Sequence, residues 1–183
     1  MINLKKKFIL FFAVAVILTV CGIVNGAQGG DGMRLSTPAF ENNASIPSKF
    51  TCRGEGINPA LIIEGIPEAA QSLVLIVDDP DAPRGTFVHW VVYDIPVSSR
   101  IEENSIPGIQ GLNNSGKLNF CAPCPPSGSQ HRYFFKVYAL DSLLKVKEGL
   151  NKAEIENLMY DHIMDKAEIV GQPMLFCRGQ RGR

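Results

Sequence analysis

The stretch from Leu73 to Pro96, LVLIVDDPDAPRGTFVHWVVYDIP, constrains the fold more than any other part of this chain. Leu73 to Val77 is a short apolar run rich in β-branched residues. It stops against Pro80 and Pro83, too soon for a helix, so the pattern predicts a strand buried on both faces. Phe87 to Ile95 predicts a second strand. Between the two, Asp78, Asp79 and Asp81 stand in a loop stiffened by prolines that lack a backbone donor and fix φ. His89 follows immediately.

A second block repeats this order. Phe120 to Gly128, FCAPCPPSG, is another proline-rich turn, and His131 to Leu140 is an aromatic strand. Period two places His131, Tyr133, Phe135 and Val137 on one face, with Arg132, Phe134, Lys136 and Tyr138 on the other. By the same alternation Trp90 faces away from His89 and belongs to the core.

The remainder supports a mostly β chain. Met33 to Ser36, before Pro38, reads as an edge strand, and Ile46 to Cys52 as more of the same. Arg53 to Pro59 is turn chemistry, and Ala60 to Glu64 is a short strand. Val97 to Lys117 is a loop rich in Gly, Asn and Ser, of a length usually functional or mobile. One helix is expected, capped by Asn151 with Glu154 at the capping-box position, its apolar stripe running through Ile155, Leu158, Met159, His162 and Ile163. Glu168 to Phe176 is the last strand candidate. Strands separated by Pro/Gly turns predict an antiparallel β-sandwich with a few peripheral helices.

The 183 residues, 45% of them hydrophobic, suffice for one sizeable core. Lys5, Lys6 and Lys7 precede an apolar run from Phe8 to Val20, and small residues follow up to Gly26. Residues 1–26 therefore read as a secretory signal peptide and residues 27–183 as the domain, which would be secreted, periplasmic or at the cell surface. A lipidated Cys21 or an uncleaved anchor is the less favoured alternative. Cleavage leaves 15 Lys+Arg against 18 Asp+Glu, and no basic face for nucleic acid. It also leaves Cys52, Cys121, Cys124 and Cys177 for an oxidising compartment. Disulfides are expected, with all three pairings open.

If the two turns converge, Asp79 or Asp81 would share a pocket with His89, His131 and Tyr133. Carboxylates raise the pKa of nearby histidines, and imidazolium donates to phosphate or carboxylate oxygens, so the chemistry points to a small anionic ligand. Competing readings are a two-histidine, one-carboxylate metal site, a nucleophile among Ser127, Ser129 and Cys124, and a redox C-x-x-C at Cys121 and Cys124. Pro125 and Pro126 prevent the helix that the redox motif needs. The expectation is therefore a binding protein with no cofactor and no metal.

Both blocks resemble the phosphatidylethanolamine-binding protein family, in its bacterial and archaeal branch described as Raf kinase inhibitor-like. The resemblance is carried by DDPDAPRGTFVHWVVYDIP from Asp78 and CPPSGSQHRYFFKVYALD from Cys124, with IPSKFTCRGEGINPAL from Ile46 and AEIVG from Ala167. It implies a Greek-key β-sandwich with an anion pocket at one end. Residue by residue, it implies ligand-binding roles for Asp79, Asp81, Pro83, His89, Pro125, His131 and Tyr133. It also implies action by binding, to a phospholipid headgroup or to a kinase or protease partner, rather than catalysis. An alternative is inhibition of extracellular proteases through the 97–117 loop, or a cryptic hydrolase or metalloenzyme. The oligomeric state stays open, a homodimer included. One departure stands out: where relatives usually show Gly-Tyr-x-Gly-Pro, this chain has Asn119 to Pro123.

Overall fold

The computed structural model describes residues 32–126 and 128–172. The expected signal peptide, Ser127 and Cys177 lie outside the described residues. Among the described residues the chain forms two antiparallel sheets, one short α-helix and two 3₁₀ turns. Strands β1 (Arg34–Ser36), β2 (Leu61–Glu64) and β5 (Arg100–Ile101) form the smaller sheet, in the order β1-β2-β5. The larger contains β3 (Ser72–Asp79), β4 (Phe87–Ile95), β6 (Ile109–Gln110), β7 (Tyr133–Leu140) and β8 (Ile163–Gly171), ordered β6-β4-β3-β7-β8.

β3 lies at the centre of the larger sheet, and the reason is its sequence. Every residue of β3 is buried, because both faces of this sheet are covered. Leu73, Leu75 and Val77 join the core shared with Leu35, Leu61, Ile63 and Ile101 of the small sheet. Val74 and Ile76 face the other way, against Ile155 and Met159 of α1 (Lys152–Met159). An apolar run without alternation is what a strand covered on both sides requires.

Several boundaries differ from the sequence reading. Asp78 and Asp79 end β3 and are buried within it, so the β3–β4 turn proper begins at Pro80. Residues Ser48–Phe50 form a 3₁₀ turn, where Ile46 to Cys52 was expected to be extended. Asn151 and Glu154 do form the capping box. The helix stops at Met159, however, and Ile163 opens β8, which therefore begins before Glu168 and ends at Gly171. β-Branched Ile163 and the β7 partners across the ladder outweigh the helical spacing. His162 leaves the apolar stripe and instead pairs through Nδ1 with exposed Asp141, at 2.8 Å.

The connection after β4, expected to be a loop from Val97 to Lys117, instead contributes β5 to the small sheet and β6 to the large one, and the rest of it is held largely by asparagine side chains. Asn113 Oδ1 accepts from Ser115 N and Lys117 N, and its Nδ2 donates to the Asn119 carbonyl. Asn114 exchanges bonds with Val88, and Asn58 braces Glu102 and Ser105 from outside. The Asn-rich composition thus orders the segment by side-chain bonds to backbone.

Candidate functional site

The site begins with a fault in the β3–β4 ladder. Val77 pairs with Trp90 and Asp78 with Val88, so β4 carries one extra residue, His89. Such a bulge breaks the alternation of side chains. Trp90 keeps its place in the core between the sheets, its ring edge-on to Phe120 at 5.6 Å. His89 turns toward Tyr133, a member of that same core, with ring centres 5.2 Å apart. The expectation that Trp90 and His89 face opposite ways is therefore corrected: the bulge puts these neighbours on one side.

His89 is oriented by the segment that leads into the second proline-rich turn, Asn119 to Pro123. Cys121 N donates to the His89 carbonyl at 2.9 Å, and His89 Nδ1 donates to the Cys121 carbonyl at 2.6 Å. Cys121 is thus tied to His89 twice, once through each residue's carbonyl. It is anchored behind by a disulfide between Cys52 and Cys124 and by Cys52 N donating to the Pro123 carbonyl. That bond overturns the alternative of a bridge between Cys121 and Cys124. Among the described residues Cys121 forms no disulfide. Gly54 shapes the Cys52 loop, since any Cβ there would collide with the backbone of Ser48 and Lys49.

His131 lies two residues before β7, which opens at Tyr133 rather than at His131 as expected. Its Nδ1 donates to Asp79 Oδ2 at 2.6 Å, with both side chains buried. Asp79 Oδ1 accepts from Asp81 N at 2.9 Å, closing the turn. Tyr133, two residues on, lies parallel to the His131 ring at 6.5 Å. Phe87 packs on His89, ring centres 4.8 Å apart. One end of the sheet therefore brings together Asp79 of β3, His89 of β4, Tyr133 of β7 and His131 from the segment just before β7.

The other expected residues stand apart from this cluster. Asp81 is turned to Arg132, whose Nε and backbone N reach Oδ2 while Nη2 reaches Oδ1. That guanidinium holds the Asp81 carboxyl below its ordinary range. Pro83 is exposed in the turn, bridged to Gly85, and Pro125 is half-buried beside Cys124. Asp78 points through the sheet to Lys136 and Lys152. Sequence reasoning missed this lysine cluster, although period two on β3 already separated Asp78 from Asp79. It also missed the Cys121 carbonyl, because backbone groups leave no trace in residue identity.

Burial decides the protonation of two side chains. It pushes the His89 pKa below 6.5, with the Cys121 carbonyl opposing, which reverses the upward direction expected from nearby carboxylates. It pushes the Tyr133 hydroxyl well up, with the charge of Asp79 adding to the shift, so the phenol remains a donor. No group of three or more His, Cys, Asp or Glu suited to a metal ion occurs among the described residues. Asp79 bonds His131 itself, rather than joining both histidines around a common point.

Residues 36–173 match the family model described as phosphatidylethanolamine-binding protein. A UPF0098 protein of Pyrococcus horikoshii is 40% identical over 178 residues, covering 92% of this chain and 89% of that protein. One from Methanothermobacter thermautotrophicus is 43% identical over 155 residues, covering 80% and 100%. Among solved structures, a phosphatidylethanolamine-binding protein homologue of Chlamydia trachomatis superposes with a TM-score of 0.75 at 42% identity, covering 78% of this chain and 97% of that one. YbcL of E. coli, described as a new member of the mammalian family, gives 0.71 at 25% identity, covering 77% and 97%. The chain belongs to the phosphatidylethanolamine-binding protein family, in the branch that contains these bacterial and archaeal relatives.

Proposed function

We propose that this protein is an exported binding protein that captures a small oxoanion, a phosphate-like or carboxylate group, between His89, His131 and Tyr133. It acts by binding, on a phospholipid headgroup, a nucleotide or a peptide partner. The observation that carries this reading is the disposition of charge. All three aspartates at this end are committed to partners, Asp79 to His131, Asp81 to Arg132 and Asp78, on the opposite face, to Lys136 and Lys152, so none is left unpaired to oppose an incoming anion. The imidazoles and the protonated phenol supply directional contacts in a buried setting.

Export is supported by the basic and apolar N-terminal segment and by the Cys52–Cys124 bond, which persists in oxidising compartments. Binding rather than hydrolysis is supported by Ser129, whose hydroxyl donates to the Pro126 carbonyl and not to His131. A protease-inhibitor reading has one supporting observation: Ile106 is 68% exposed on a segment braced by Asn58.

Titration of the purified protein with inorganic phosphate and with phosphoethanolamine, followed through the histidine ring resonances, tests the proposal. Both rings should shift, and tighter binding of phosphoethanolamine identifies a lipid headgroup as the source. Unmoved His89 and His131 signals at millimolar ligand overturn the proposal.

A further inference from the structure

The hydrogen bond from His89 to Cys121 settles which ring nitrogen carries the proton. A carbonyl oxygen only accepts, so the hydrogen between them belongs to His89 Nδ1. In the neutral ring Nε2 then carries a lone pair and accepts. This nitrogen is buried and has no hydrogen-bond partner among the described residues. His89 as a whole is only 5% exposed. A buried polar atom left without a partner costs on the order of 1–3 kcal/mol, so any ligand that donates to it recovers that energy.

The surroundings favour the neutral ring, because burial lowers its pKa. Phe87 and Tyr133 flank it with aromatic surface. Of the charged and titratable groups that act on it, Asp79 and Asp78 favour imidazolium and His131 opposes it, while burial outweighs them all. His131 differs because its Nδ1 faces a carboxylate rather than a carbonyl. Carrying the positive charge is therefore compensated at His131 and uncompensated at His89. The two histidines form an unequal pair, one suited to donate and one to accept.

We infer that this site selects an oxoanion that brings its own proton, such as dihydrogen phosphate or a phosphomonoester monoanion, whose P–OH donates to His89 Nε2 while a neighbouring P–O oxygen accepts from His131. The inference rests on the anion-binding reading above. A fully deprotonated anion would set oxygen lone pairs against the lone pair of Nε2, or would require a proton to be placed on a buried ring. Sulfate has nearly the size and shape of phosphate but carries no proton near neutrality, and the same holds for carboxylate groups. The site thus discriminates by proton inventory rather than by shape, and it favours phosphate among the anions considered.

The test uses wild-type protein with ¹⁵N-labelled histidine, titrated separately with inorganic phosphate and sulfate. At a pH of about 6 a phosphate group still holds a proton on a large share of molecules. Phosphate should bind at least about tenfold more tightly than sulfate. In the complex His89 Nε2 should keep the ¹⁵N shift of an unprotonated, hydrogen-bonded nitrogen. Equal affinities, or a His89 Nε2 that moves to the protonated position, overturn the inference and leave the anion-binding reading intact. If neither anion moves either ring, both fall together.

Discussion

Asp78 and Asp79 are neighbours at the end of β3, equally buried, yet the pleat sends them to opposite faces of the sheet and to opposite uses. Asp78 accepts from Lys136 Nζ at 2.8 and 2.9 Å and from Lys152 Nζ at 2.6 Å. It ties β3 to β7 and to the start of α1, and each ammonium it neutralises also keeps part of its side chain in water. Asp79 instead accepts from the Nδ1 of an imidazole, that of His131. An imidazole bonded through Nδ1 still has Nε2, so the charge balance on that face leaves a directional group for something else. The same chemical group thus builds structure on one face and part of the candidate site on the other, and the partner's chemistry makes the difference.

The largest expected effect bears on how firmly the histidine face is held. Replacing Cys52 and Cys124 by serine opens a loop of 72 residues and should cost about 4 kcal/mol in the chain-entropy picture, measured by urea denaturation. The Cys121–His89 bonds should loosen, while the lysine face keeps its ion pairs. A loss below about 1 kcal/mol would mean that the disulfide does not constrain the unfolded chain as supposed.

Next in size, Asp78→Asn should destabilise by about 2–3 kcal/mol. This is less than for a fully buried pair, because Lys136 and Lys152 can turn outward. Phosphate affinity should stay within about twofold. An affinity loss comparable to that of an Asp79 variant would erase the distinction between the faces. Asp79→Asn should cost about 1–2 kcal/mol, for one weakened hydrogen bond to His131. Here the proposed phosphate binding should be lost, as read by calorimetry.

The smallest effect concerns His89 alone. Its pKa is depressed in the fold, so the unfolded chain takes up a proton first as pH falls. The contribution to stability is full above about 6.5 and is lost as pH falls through the folded value. His89→Gln should flatten that part of the pH–stability curve. An unchanged slope would assign the dependence to another group.

Much of the fold was legible because it rests on local patterns. Leu73 to Val77 is apolar at every position, and only a strand covered on both faces needs that. Asn151 and Glu154 announced the helix start because the cap forms within one turn. The end of that helix was not legible. Leu158, His162 and Ile163 keep helical spacing, but pairing of Ile163 with Leu140 claims that residue for β8. The candidate site was legible in its side chains, since two proline turns each lead to a histidine, His89 within β4 and His131 just before β7. Its geometry was not, because both the bulge at His89 and the Cys121 carbonyl are backbone features.

By itself, the sequence determined the family, the mostly β content, and the set of chemical groups available at one end of the larger sheet. Residue type and alternation suffice for these, because they depend on separations of a few residues. Tertiary structure alone decided that His89 shares a face with Trp90, that Asp79 meets His131 and Asp78 the lysines, and that Cys52 pairs with Cys124. Each of these depends on register between segments far apart in the chain. A shift of one residue in that register would exchange the two faces of a strand, and with them the groups that meet.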